Sequence, residues 1–378
     1  MGRAGGDKSL LQRINTVAVL RALHGAEPLT LRDLAKTTGV SRNTAEDAAL
    51  ALVRAGLAEE FLPQAEQRPV GRPAKWYRFR ADYGYVVGVD LAVHEVNVLV
   101  ANLAGTERAR HSRPLDPLAP AEDRVLAARE AIDAAIRGAG IGYAEVLAIG
   151  AATTGIVDRE GHVNRSNRLP QTLGYNFAEG LAVLPGVPVV VGNDARLATL
   201  AERWLGTGRD TDNFVNIIAG RHITAGVVLN GQLLQGAHGA AGEIGVLPES
   251  CWQIALQAMA DWPDNRESTV RAAEEGDADA QARIEELAEH LAIGAAALVL
   301  TVDPECVVVS GGLSHAGQTL LGPLQDRLDA KTLFPIPIRT SPLDHSAVAL
   351  GAVRLALDHV EDDLFNTDSP RLTAALAP

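Results

Sequence analysis

The chain is poor in cysteine, in aromatic side chains and in long apolar runs. Only Cys251 and Cys306 occur among 378 residues, which argues against a disulfide scaffold and fits a reducing cytoplasm. No apolar run reaches the ~18 residues of a membrane-spanning helix. The opening MGRAGGDKSLLQRINTV lacks the long apolar segment of a secretory signal. Aromatics are 4% of the chain while hydrophobic residues make up 47%, so Ala, Val and Leu have to supply a large core. At ~150 residues per domain the length allows two or three domains. Positive charge is also short, with a net charge of −13 that looks wrong for a nucleic-acid binder. The deficit is uneven. Residues 1–80 hold 13 Lys/Arg against 8 Asp/Glu, a net of +5, and the remainder holds 21 against 39, a net of −18. A basic head on an acidic body concentrates phosphate attraction in one place.

Within that head, LRDLAKTTGVSRNTAEDAALALVRAGL (31–57) reads as a short helix, a turn and a longer helix. Thr30 and Asp33 form a capping box. Gly39 supplies the positive φ that ends the first helix, and Ser41 caps the second by accepting from an N–H near Thr44. Ala45, Ala48, Ala49, Leu52, Val53 and Gly56 recur at helical spacing and make one face apolar. Arg42, Asn43 and Thr44 lie where a recognition helix meets base edges. An ordinary helical hairpin is the alternative. Residues 8–24 suit a supporting amphipathic helix. Extended pieces near Leu57–Phe61 and Trp76–Phe79 flank a Pro-rich tip, as in a wing. From Arg68 to Arg80 there are five basic residues (Arg68, Arg72, Lys75, Arg78, Arg80) and no acidic one. Arg72, between Gly71 and Pro73, suits a narrow minor groove; a solvated basic linker is the other reading.

From Tyr85 the texture changes. Residues 85–105 read as two strands joined by a tight turn, 121–139 as a helix, and 146–161 as a buried strand with a polar excursion. Residues 187–206 give a strand, a loop and a helix from about Asp194. Residues 212–236 give a hairpin turning at Asn230-Gly231. A helix over 276–301, a strand meeting a Gly pair at 305–317 and a closing helix over 346–360 follow; 361–378 reads as a loosely ordered tail. Strands alternate with helices, and the junctions carry Gly, Asn or Asp. That order implies α/β domains with ligands at the strand ends.

The helix pair with GRPA (71–74), GVDLAVHEVNVLVANLAG (88–105), GNDARLATLAE (192–202), GAHGAAGEIG (236–245) and VVVSGGL (307–313) together resemble the ROK family of repressors and sugar kinases, from Ser9 to Val360. The resemblance implies an α/β fold: an N-terminal winged helix-turn-helix (1–80) on a two-lobed, actin-like sugar-kinase body. The first lobe would be 81–190 with the closing helix 346–360. The second, 191–345, would carry the ligand cleft and a dimer surface. It also implies effector contacts from Asn193, Asp194 and Glu243, with Asn167 near another. Asp194 matches the kinases' base, though capping of the following helix is its structural alternative.

Kinase members hold ATP on two Gly-rich loops. Here Leu91-Ala92-Val93-His94 and Ala219-Gly220-Arg221-His222 stand in their place, and side chains that large leave little room for phosphate. Val246 replaces the His of a structural zinc site, and one thiolate from Cys251 cannot hold tetrahedral zinc. The expectation is therefore no enzyme, no cofactor and no metal. Instead, a cytoplasmic regulator would bind double-stranded operator DNA as a homodimer or tetramer, and answer to a sugar or, through Arg221, a sugar phosphate. Its DNA contacts would be Thr30, Ser41, Arg42, Asn43, Thr44, Arg68, Arg72 and Lys75. A sugar kinase with a DNA-binding head and a ligand-independent regulator are the alternatives.

Overall fold

The computed structural model describes residues 4–61, 75–220, 222–260, 262, 266–370 and 373. The head is built from α1 (Ala4–Leu23), β1 (Leu29–Thr30), α2 (Leu31–Thr38), α3 (Arg42–Arg54), β2 (Ala58–Phe61) and β3 (Trp76–Phe79). The strands form one antiparallel sheet in the order β1-β3-β2. Local chemistry sets the helix ends. Asp33 N–H donates to Thr30 Oγ1 at 3.3 Å and Thr30 N–H donates to Asp33 Oδ2 at 3.1 Å, closing the capping box. Gly39, at φ 71, ends α2 in the left-handed conformation. Thr44 N–H donates to Ser41 Oγ at 3.1 Å, which opens α3. Leu34, Ala45, Ala49 and Leu52 are fully buried between the helices.

The first lobe runs β4 (Tyr85–Leu91), β5 (Glu95–Asn102), β6 (Glu107–Pro114), α4 (Ala121–Ala139), β7 (Val146–Thr153), β8 (Ile156–Val157), β9 (Val163–Arg165), α5 (Phe177–Leu181) and β10 (Val189–Asn193). Its main sheet has the order β6-β5-β4-β7-β10, antiparallel through β6, β5 and β4, parallel through β4, β7 and β10. After α6 (Asp194–Leu205) the second lobe follows as β11 (Phe214–Ala219), β12 (Ile223–Leu229), β13 (Gln232–Leu233), α7 (Trp252–Ala260), α8 (Arg266–Glu274), α9 (Ala278–Val302), β14 (Cys306–Ser310), α10 (Gly317–Asp329) and β15 (Ile338–Thr340). Its sheet, β13-β12-β11-β14-β15, repeats the topology of the first: a three-strand meander, then two parallel strands reached by crossovers.

Three expectations change. Residues 212–236 form a three-strand meander rather than one hairpin; its Asn-Gly turn is as expected, at φ 52 and 71. The closing helix, α11 (Ala347–Leu364), continues past residue 360, and the described part of the tail packs against the head. Strand β10 carries the first sheet on to Asn193, beyond a boundary at 190.

Helix α11 holds the parts together. It lies so close to the first sheet that a Cβ on Gly150 would overlap the Ala352 carbonyl, and one on Gly351 would overlap the Leu197 carbonyl of α6. Val353, Leu357, Val360 and Leu364 on α11 share one buried cluster with Val86 and Leu99 of the first sheet and with Leu20, Leu23, Leu57 and Tyr77 of the head. His24 lies edge-on between Phe79, at 4.9 Å, and Phe365, at 5.3 Å. The Arg21 guanidinium sits 5.0 Å from the Phe365 ring centroid. The head is therefore seated on the first lobe through a common core.

Candidate DNA-reading head and interlobe cleft

On the head, Ser41, Arg42 and Asn43 are exposed at the start of α3. Arg42 and Asn43 have no side-chain partner among the described residues. The neighbouring hydroxyls are occupied. Ser41 Oγ lies 2.8 Å from Thr44 Oγ1, and Thr30 Oγ1 donates to Asp33 Oδ2 at 2.6 Å. Thr30, Ser41 and Thr44 thus shape the helix ends, leaving Arg42 and Asn43 as the groups presented outward. Arg68 and Arg72 lie outside the described residues. Lys75 does not stand alone as its local sequence suggests: its Nζ is 3.1 Å from Glu60 Oε2 across the wing. Arg78 pairs likewise with Glu59, to which it is registered across β2 and β3. The absence of acidic residues from 68 to 80 misleads, because the counter-charges sit on the partner strand. Exposed pairs of this kind contribute ~0–1 kcal/mol, so a phosphate can displace either carboxylate.

Between the lobes lies a cleft of about 710 Å³. All four residues expected at the effector site line it: Asn167, Asn193, Asp194 and Glu243. They arrive from different elements, at the end of β10, the start of α6, the loop after β9 and the segment after β13. Their roles differ. Asn193, not Asp194, is the N-cap of α6: its Oδ1 accepts from Arg196 N–H at 3.0 Å. Its Nδ2 donates to Gly155 O at 2.9 Å and to Asp194 Oδ1 at 3.1 Å. With those bonds made, Asn193 positions its neighbour. Asp194 holds the first helical position, accepting from Ala195 N–H at 2.8 Å and from the Thr154 hydroxyl at 2.7 Å. Burial pushes the Asp194 carboxyl up, and its hydrogen bonds oppose that rise. Glu243 is pushed up by burial first and by the Asp194 charge second, with Arg196 opposing. Behind them Asp90, at the end of β4, is pushed up to about 7 by burial and then by Asp194. The floor is thus a cluster of buried carboxylates, partly offset by Arg168 beside Asp194 and by Arg196 beside Glu243, suited to accept hydrogen bonds from hydroxyl groups.

The two loops expected to have lost nucleotide are organised around other contacts. The buried guanidinium of Arg124 takes the carbonyls of Ala92 at 3.0 Å and Val93 at 3.2 Å. In the second loop Gly220 N–H donates to His222 O at 2.9 Å, so that amide is already used. Arg221 lies outside the described residues. Around the expected zinc position, Val246 is exposed and Cys251 takes a left-handed turn at φ 61; that donor set does not fit a tetrahedral zinc ion. The cleft also contains residues that sequence reasoning missed. Arg165, Arg168 and His222 line it. The first two flank Asn167 in the chain, and that adjacency was the available signal.

A winged-helix head on a two-lobed sugar-kinase-like body defines a class of transcriptional regulators, and the body alone is shared with sugar kinases. The ROK family model matches residues 86–251 and 253–359, and the chain belongs to the ROK family. The IclR helix-turn-helix domain model matches residues 14–60. Among relatives, the xylose repressor of Caldicellulosiruptor bescii is 22% identical, covering 93% of this chain and 97% of its own length. A solved ROK family transcriptional regulator, described as a homolog of the E. coli MLC protein, superposes with TM-score 0.75 at 21% identity over 97% of this chain and 99% of that one. The ROK hexokinase of Thermus thermophilus, at 27% identity and TM-score 0.61, covers 74% of this chain and 99% of its own. Among the described residues no helix is long and apolar enough to cross a membrane.

Proposed function

We propose that this chain is a DNA-binding transcriptional repressor of the ROK family, acting in the cytoplasm, whose interlobe cleft binds a sugar or related metabolite without phosphorylating it. The observation that carries the reading is the shared core between head and first lobe, with Arg42 and Asn43 exposed on one side and the cleft on the other. A xylose repressor that aligns over nearly its whole length supports it. In this reading α3 enters the major groove, where Arg42 and Asn43 meet base edges while Ser41 and Thr44 hold the helix start. Lys75, and by sequence Arg68 and Arg72, meet phosphates and the minor groove. One such module grips weakly, so two or four copies act together on a pseudo-palindromic site.

In the cleft Asp194 and Glu243 accept ligand hydroxyls, Asn193 orients Asp194, and Asn167 closes the rim. The ligand acts by binding one lobe arrangement better than another, and the heads follow the first lobe. Kinase activity is disfavoured because Val93 and His94 put bulky side chains in the first loop that would cradle ATP, and in the second the Gly220 N–H is already bonded to the His222 carbonyl. Footprinting of the purified protein on genomic DNA, with and without sugars and sugar phosphates, tests the reading. Protected pseudo-palindromes whose protection changes with one metabolite are expected, and indifference of the protein to duplex DNA would overturn it. Coupled ATP hydrolysis on a hexose panel tests the kinase alternative, with no turnover expected.

A further inference from the structure

Two buried arginines of the body are held in different ways. The guanidinium of Arg124, 1% exposed, donates to the carbonyls of Ala119, Ala92, Val93, Asp116 and Pro117, and those bonds account for its place. Arg196, 7% exposed on α6, has far fewer partners. Its Nη2 donates to Val157 O at 3.2 Å, and its Nε has no partner among the described residues. A buried donor left unpaired is costly, so hydrogen bonding does not explain a charged side chain here.

Its surroundings do. Arg196 stands behind the wall of the effector cleft. It lines a rear cleft of about 1140 Å³, whereas Glu243 lines the front one, and Asn193 borders both. The wall is thin at this point. Gly239, at φ 70 in the segment after β13, lies against the guanidinium: a Cβ there would stand 3.3 Å from Nη2 and 2.7 Å from Val157 O. Strand β8, helix α6 and the segment that carries Glu243 therefore meet at one cation. Burial pulls the guanidinium down, and Glu243 first and Asp194 second oppose that. In return Arg196 opposes the rise of Glu243, as Arg168 opposes that of Asp194. The two carboxylates thus have separate counter-charges. Arg168 stands inside the cleft, where a ligand arrives, and Arg196 stands outside it. Among the described residues the Glu243 carboxylate makes no hydrogen bond or ion pair, so its oxygens are left for a ligand.

We propose that Arg196 is a positioning residue of the effector site, which from behind the wall keeps Glu243 a charged, acceptor-only group set to receive ligand hydroxyls. It touches no ligand and acts through Glu243. An ionised carboxylate only accepts hydrogen bonds, whereas a protonated one also donates, so the cation decides which hydroxyl pattern fits. The inference rests on the cleft being an effector site.

The test follows the carboxyl ¹³C signal of Glu243 in the full chain from pH 4 to pH 9, assigned by its loss in Glu243→Gln. Arg196→Gln keeps a donor for Val157 O and removes the charge, while Arg196→Lys keeps the charge. Asp194, Asp90 and Arg168, which also face this floor, stay unchanged in each variant. The signal should titrate at higher pH in Arg196→Gln than in wild type, and Arg196→Lys should bring it most of the way back. Calorimetry with glucose, xylose and N-acetylglucosamine at pH 6 and pH 8 gives the second readout. A sugar that binds wild type should lose about tenfold in affinity in Arg196→Gln at pH 6. The loss should be smaller at pH 8, because Glu243 regains its charge as the pH rises. An unmoved signal with equal losses at both pH values is what packing alone would give, and it would overturn the proposal. So would a wild-type Glu243 still protonated at pH 8, a result that needs no variant to fold. If wild type binds none of the sugars while the signal moves as expected, the effector reading falls and the electrostatic assignment stands.

Discussion

Replacing Asp90 by Asn should make the protein more stable, and more so as the pH rises. Asp90 lies at the end of β4, buried, with its carboxyl pushed from an ordinary 3.8 up to about 7 by burial and by the Asp194 charge. A carboxyl whose pKa is higher when folded holds its proton longer in the native state than in the unfolded chain. It costs nothing at pH values below the unfolded pKa. The cost grows as pH rises from about 4 to about 7 and is constant above. Three pK units at ~1.36 kcal/mol each set an upper limit of about 4 kcal/mol at alkaline pH. Between pH 5 and pH 8 the change should be roughly 2–3 kcal/mol. Asn keeps the shape and removes the charge. Urea unfolding of wild type and Asp90→Asn at pH 5, 6, 7 and 8 measures the difference directly. In an Asp194→Asn background, which removes the second cause, the benefit of Asp90→Asn should shrink. A benefit independent of pH, or a loss that is largest at pH 8, would refute the assignment of a strained carboxylate to this position.

Three further outcomes are expected. Arg42→Ala should cost on the order of 1–3 kcal/mol on a specific operator and far less on random duplex, measured by gel shift; equal losses on both would remove it from base reading. Glu60→Gln should tighten DNA binding and steepen the salt dependence by up to about one unit, because it frees Lys75 for phosphate; weaker binding would mean the pair is structural. Gly351→Ala, which drives a methyl into the Leu197 carbonyl, should lower stability by about 1–3 kcal/mol or more. Gly322→Ala in α10, where nothing lies within 4 Å, should instead be neutral or stabilising in the same melt.

What the sequence disclosed and what it withheld divide by range of interaction. The boundaries of α2 and α3 were readable because Thr30, Asp33, Gly39 and Ser41 act on backbone groups within four residues. The Asn230-Gly231 turn was readable for the same reason. Pairings between distant segments were not. Lys75 and Arg78 looked like bare cations until β3 met the glutamates of β2. Asp194 looked like a helix cap until Asn193, one residue earlier, was seen to make the capping bond. The duplicated sheet order leaves no trace in residue identity, because a meander followed by crossovers can be written in many apolar strands. The four residues proposed for the effector came from resemblance, and their convergence on one cleft depends on loops whose spacing carries no periodicity. Arg165 and Arg168 escaped notice because their place on the cleft depends on how the segment after β9 folds back, with Ser166 bonded to the Thr154 carbonyl, and only their closeness in sequence to Asn167 hinted at it.

The position of α11 has a consequence for how the molecule comes into being. Its side chains complete the wall on which both the head and the first sheet rest, yet the ribosome makes it long after those parts have emerged. The reader at the amino terminus is thus left with an uncovered greasy seam until translation is almost finished, and only then acquires its seat. A chain stopped short of residue 347 would carry every group proposed to contact bases and still lack the surface that aims them.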